Sequence, residues 1–145
     1  MARGLIVLLA AGTLHACVAP ADPQVVVEER QADMRELDAA MSAIQAPGAD
    51  LTAIKVHAAR VRAIADRLDG HFRIPDREAT SGTSPDAWAR PGAFAGEAAS
   101  FRRAAASLQA AARAGNRVAV AGAATELESR CASCHSAFRA PKPDR

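Results

Sequence analysis

Large side chains are scarce in this chain of 145 residues: it has no tyrosine, one tryptophan and four phenylalanines. Helices built so largely from alanine pack a thin core by themselves, and an apolar group from outside the chain would thicken it. Long apolar runs are missing too. The stretch from Leu5 to Leu14 is too short to span a bilayer. The net charge is only +2, and no basic stripe or ladder of aromatics is present, which removes nucleic acid as a partner. No nucleophile–base pair and no constellation of carboxylates stands out, so no enzyme is expected. There is no internal repeat and no sign of a second domain. Cysteine is confined to Cys17, Cys131 and Cys134, with no second Cys or His pair to complete a four-ligand zinc site.

What is present is concentrated near the C-terminus, in Cys131-Ala132-Ser133-Cys134-His135. This is the C-x-x-C-H pattern of covalent haem attachment, in which both thiols add to haem vinyl groups and the histidine offers a nitrogen to iron. A thioredoxin-like redox pair would need a strand-to-helix setting, which is not visible nearby. A structural disulfide is the plain alternative, but it would close a tight loop and leave His135 without a role. At about 100° per residue, positions i, i+3 and i+4 share one helix face, so all three side chains project together. Phe138 and Arg139 continue that face one turn later.

The N-terminus has the outline of an export signal, with Arg3 before the apolar run and Ala19-Pro20-Ala21 as a small-x-small site. Residues 1–21 are expected to be removed, leaving 22–145 as one domain. Leu14-His15-Ala16-Cys17 is the rival: it resembles a lipoprotein box, with 1–16 as signal and Cys17 lipidated as a membrane anchor. Either route delivers the domain to the periplasm, where covalent haem is attached.

Helical periodicity accounts for most of the rest. A first helix is expected over about Gln24–Gln45, with Val27, Met34, Leu37, Met41 and Ile44 as its apolar stripe and Pro47-Gly48 beyond its end. Asp50 is a good N-cap for a second helix running to about Leu68, closed by Gly70. His71 to Gly92 reads as a long loop in which Ser84-Pro85-Asp86 starts a short turn carrying Trp88. A third helix is expected over about Ala93–Ala114. The fourth carries Val120, Ala124, Leu127, Cys131, Cys134 and Phe138 until Pro141 stops it. The expected fold is all-α, an antiparallel four-helix bundle with haem attached near the C-terminus.

In this order of elements the chain resembles the class II c-type cytochromes, the cytochrome c′ family. The resemblance is carried by Arg30-Gln31-Ala32-Asp33-Met34, Pro85-Asp86-Ala87-Trp88, the Phe94 and Phe101 spacing, Ala114-Gly115-Asn116, and Cys131 to Arg139. It implies one covalent haem c on Cys131 and Cys134, His135 as proximal iron ligand, Arg139 near the proximal face and Arg30 near a propionate. Met34 matches the distal position, where low-spin relatives bind iron through methionine and others only cover an open site. Pro91-Gly92 departs from the family pattern, and a proline there is expected to break or delay the third helix and disturb haem-edge contacts from Trp88 to Phe94.

Two haem functions follow, and the residues leave both open. With His135 and Met34 on iron, the protein is an electron carrier with a redox partner protein. With five-coordinate iron, it binds small diatomic gases such as NO or CO. A non-haem helical lipoprotein is the third reading. The resemblance also implies a homodimer, since relatives often associate through their first two helices. His57 is an outside candidate for a sixth ligand, His71 falls in the loop, and Arg60, Arg62 and Arg67 read as a solvated helix face.

Overall fold

The computed structural model describes residues 22–76 and 81–141. They form α1 (Pro23–Gln45), α2 (Leu51–His71), the one-turn α3 (Asp86–Ala89), α4 (Pro91–Arg113) and α5 (Arg117–Phe138). The signal, its cleavage site and Cys17 lie outside the described residues. Among those described, no helix is long and apolar enough to cross a membrane.

The helix starts follow from local chemistry. Asp50 accepts from the backbone N–H groups of Thr52 and Ala53 at 2.7 and 3.0 Å, which satisfies two donors that the first turn of α2 leaves free. Asn116 does the same for Ala119 at the start of α5. Gly115 turns the chain between α4 and α5 with φ at 69°, a left-handed conformation that disfavours any side chain. Gly48 serves in the same way after α1, with φ at 75°.

The four long helices pack in the cyclic order α1, α2, α4, α5. Alanine lets α2 and α4 approach closely: Ala58, Ala65, Ala105 and Ala112 are fully or almost fully buried. Ile64, Leu108, Leu127 and Val61 are the largest side chains wholly withdrawn from solvent. The fourth side of the bundle is different. Helices α1 and α5 meet only sparsely, so the bundle is open along that seam.

Two boundaries and one buried face differ from expectation, each for a physical reason. Gly70 does not close α2; the helix runs on to His71, and Phe72 caps it by donating its N–H to Asp69 and Gly70 carbonyls. The helical path does break next to Pro91, at Arg90 between α3 and α4, but Pro91 itself opens α4 two residues before Ala93, in the first turn, where its missing N–H has no partner to lose. On α1 the buried stripe is Val26, Arg30, Asp33, Leu37, Ala40 and Ile44, so charged residues hold two of its core positions. Val27, Met34 and Met41 lie beside that stripe, half-buried.

Leu108→Ala is expected to lower the unfolding free energy by about 2–5 kcal/mol, because the wholly buried side chain leaves a cavity among helices that cannot collapse fully. Val118→Ala, at an 85% exposed position, should change it by no more than about 0.5 kcal/mol. Urea denaturation followed by circular dichroism measures both.

Candidate functional site

The apolar stripe of α5 has an interruption. Val120, Ala124, Leu127 and Phe138 are buried, whereas Cys131 and Cys134, which continue the stripe between them, are only half-buried. Both thiols are free. Burial, then the charge of Glu128, pushes the Cys131 thiol up. Burial, then Glu97, pushes Cys134 up to about 11. His135 stands one position further round the helix at the exposed rim. Partial desolvation and the charge of Arg139 lower its imidazole from the ordinary value, which favours the neutral form that a metal requires.

The cysteines open onto the seam between α1 and α5, where two confluent cavities of about 530 and 260 Å³ lie. Their shared wall includes Met34 and Asp38 from α1, Leu68 from α2, Phe94 from α4, and Cys134 and His135 from α5. Cys131, Met41, Phe101 and Leu127 line the smaller lobe. Arg30, Phe72, Phe138, Arg139 and the stretch Ser81–Thr83 line the larger one. That stretch is pinned in place: Ser84 donates its N–H to the Phe138 carbonyl at 2.8 Å, and Ala140 donates to Gly82 at 3.0 Å.

A polar and aromatic network closes the larger lobe. Arg30 pairs with Asp76, both side chains being 5% exposed, and its guanidinium lies over the rings of Phe72 and Trp88 at 5.0 and 5.6 Å. Burial lowers its pKa, yet it remains a cation. Its Nε and Nη1 are buried without a hydrogen-bond partner. Next along α1, buried Asp33 receives two hydrogen bonds from Arg67, at 3.1 and 2.5 Å, with His71 Nδ1 at 3.2 Å from the same carboxylate. The Trp88 indole N–H donates to the Phe72 carbonyl at 2.9 Å, and the rings of Phe72, Phe94 and Phe138 follow one another, the first pair tilted at 4.6 Å and the second edge-to-face at 5.3 Å.

The family model for cytochrome c′ matches residues 25–139 of this sequence. The chain belongs to the cytochrome c′ family. Solved structures agree. A cytochrome c′ from Thermochromatium tepidum is 26% identical and superposes with a TM-score of 0.78, over 85% of this chain and all of that one. A cytochrome c′ described by a ligand-controlled dimer dissociation is 24% identical, with a TM-score of 0.78 over 85% of this chain and 100% of the other. A nitric oxide complex of a cytochrome c prime variant from Alcaligenes xylosoxidans is also 24% identical, with a TM-score of 0.73 over 84% of this chain and 98% of that one. No curated protein matches the sequence significantly. Membership makes the cofactor one covalently attached haem c, which sets aside a structural C-x-x-C in a non-haem lipoprotein.

The residues of this cytochrome fit that group on their own evidence. Two half-buried thiols and a neutral imidazole share one face, the seam they face is lined by apolar side chains, and Arg30 offers unpartnered buried N–H groups suited to a carboxylate. Met34, Phe138 and Arg139 line the same space. His57 does not; it lines neither lobe. Phe94 lines both lobes despite Pro91, while Trp88 stands one layer back, behind Phe72 and Arg30. Arg67 is no simple solvated charge, because it neutralises buried Asp33, and His71 belongs to α2 and packs against α1 rather than lying in a loop. Asp33, Phe72 and Asp76 were not picked out by sequence reasoning. For Asp33 a signal existed, since it follows Arg30 by three and precedes Leu37 by four; the role of Asp76 depends on a contact 46 positions away.

Replacing both Cys131 and Cys134 by alanine should abolish haem staining of the denatured polypeptide, whereas either single replacement should leave part of it. Asp76→Ala should cost the haem-free protein about 3–5 kcal/mol in chemical denaturation, because it strands a buried guanidinium.

Proposed function

We propose that this protein is a periplasmic electron carrier whose haem iron is held by His135 from α5 and Met34 from α1. When bound, the haem supplies an iron that exchanges one electron between its ferric and ferrous states. Met34 carries the reading. It lies outside the buried stripe of α1 and on the wall shared by both lobes, together with Cys134 and His135. Met34 packs against the edge of the core that holds Leu37, Ala40 and Ile44 while also facing the space beside His135, so its sulfur is available to that space. A thioether on the second axial position suits electron transfer, since it raises the potential and keeps coordination constant between oxidation states. In this assignment Cys131 and Cys134 form the thioether links, Arg30 engages a propionate, and Phe138 and Arg139 flank the iron-binding histidine. No catalysis is assigned.

A second reading is favoured by the relatives: a structural neighbour is described in complex with nitric oxide. In that case Met34 covers a five-coordinate iron that admits NO or CO, and association into dimers responds to the ligand, as described for another neighbour. Export would follow removal of residues 1–21, or lipidation of Cys17 would anchor the domain; mass spectrometry of the exported protein distinguishes these.

The oxidised protein is expected to show a methionine-to-iron charge-transfer band that disappears in Met34→Ala, with a fall in reduction potential. A high-spin wild-type spectrum with ready CO binding by the ferrous form would replace the electron-carrier reading by the gas-binding one.

A further inference from the structure

Glu97 on α4 reaches the attachment motif through Ser133. Its Oε1 accepts a hydrogen bond from Ser133 Oγ at 2.9 Å, and Ser133 stands between the two cysteines. Its Oε2 is buried and has no hydrogen-bond partner among the described residues. No described cation forms an ion pair with it either, although Arg30, Arg62, Arg67, Arg90, Arg102 and Arg130 all have carboxylate partners. Glu97 lines neither lobe of the slot, so it is not part of the wall that receives the cofactor. A carboxylate oxygen withdrawn from water without a partner opposes stability, and a glutamine would make the same bond to Ser133 without that charge. Cys134 senses the charge: after burial, Glu97 is the main influence pushing its thiol up.

We propose that Glu97 is a potential-setting carboxylate, whose uncompensated charge beside the attachment motif favours ferric over ferrous haem. The ferric centre carries one more positive charge than the ferrous one. A carboxylate beside the motif, with one oxygen withdrawn from water, therefore stabilises the oxidised state and lowers the potential. This rests on haem attachment at Cys131 and Cys134 and not on Met34, so it applies to either coordination state.

Spectroelectrochemical titration of the holoprotein at neutral pH tests it. Glu97→Gln preserves an acceptor for Ser133 and removes the charge. At a fixed potential its ferric-to-ferrous ratio should fall about threefold to tenfold, a tenfold change corresponding to about 59 mV in the midpoint for one electron. Ser133→Ala removes the hydrogen bond and keeps the charge, so its midpoint should not rise. Glu97→Asp should retain most of the wild-type value. A Glu97→Gln protein with covalent haem and an unchanged midpoint overturns the proposal. An equal rise in Ser133→Ala overturns it too, because the hydrogen bond and not the charge would then set the potential. Absence of covalent haem from the denatured wild type would overturn the site assignment, and this proposal with it.

Discussion

Helices α1 and α5 occupy adjacent corners of the bundle, yet the faces that they turn toward each other do not interlock. Every other neighbouring pair of long helices is closed by direct packing: alanines between α2 and α4, Phe94 on Phe138 between α4 and α5, and the Asp33–Arg67 pair between α1 and α2. Here the facing residues are Met34 and Met41 on one side and Cys131, Cys134 and His135 on the other, with open volume between them. Close packing is the usual rule for protein interiors, so a seam of this kind forgoes contacts that an apolar group filling it would restore. The scarcity of aromatic residues and the covalent haem are two aspects of the same constraint.

Charge is arranged to suit that seam. On the buried stripe of α1, Arg30 takes its carboxylate from the segment after α2, whereas Asp33 takes its guanidinium from α2 itself. The two pairs have opposite polarity and lie three residues apart. Sliding α1 by a turn along α2 would uncouple both pairs and leave buried charges unmatched, which is strongly unfavourable. The register of α1, and with it the height of Met34 in the slot, is thereby specified by polar contacts more than by the small apolar residues around them. Glu97 stands outside this scheme because no described cation answers it.

Much of this was legible from the chain alone. The C-x-x-C-H spacing needs only local helix geometry to place three side chains on one face, and Asp50, Gly48 and Gly115 mark helix ends through chemistry within a few residues. The buried stripe of α1 was harder to read. Hydrophobic periodicity selected Val27, Met34 and Met41, because Arg30 and Asp33 look solvated until their partners are known. Pro91 is legible in part: a residue before proline is driven out of helical conformation, which marks the break at Arg90, but whether the proline then ends a helix or opens one depends on where the previous turn stops. Asp76 and Glu97 owe their positions to contacts between distant parts of the chain, which no local pattern encodes.

The near-continuous order of packing, α1 on α2 and α4 on α5, has a kinetic side. The reversal at Gly115 joins α4 and α5 through three residues, so that hairpin closes quickly, while bringing α1 to α5 closes the longest stretch of chain between any two neighbouring helices. The motif helix can thus be held by α4 while its other face is still uncovered. The seam reserved for the cofactor is also the one that costs the polypeptide the most chain entropy to shut.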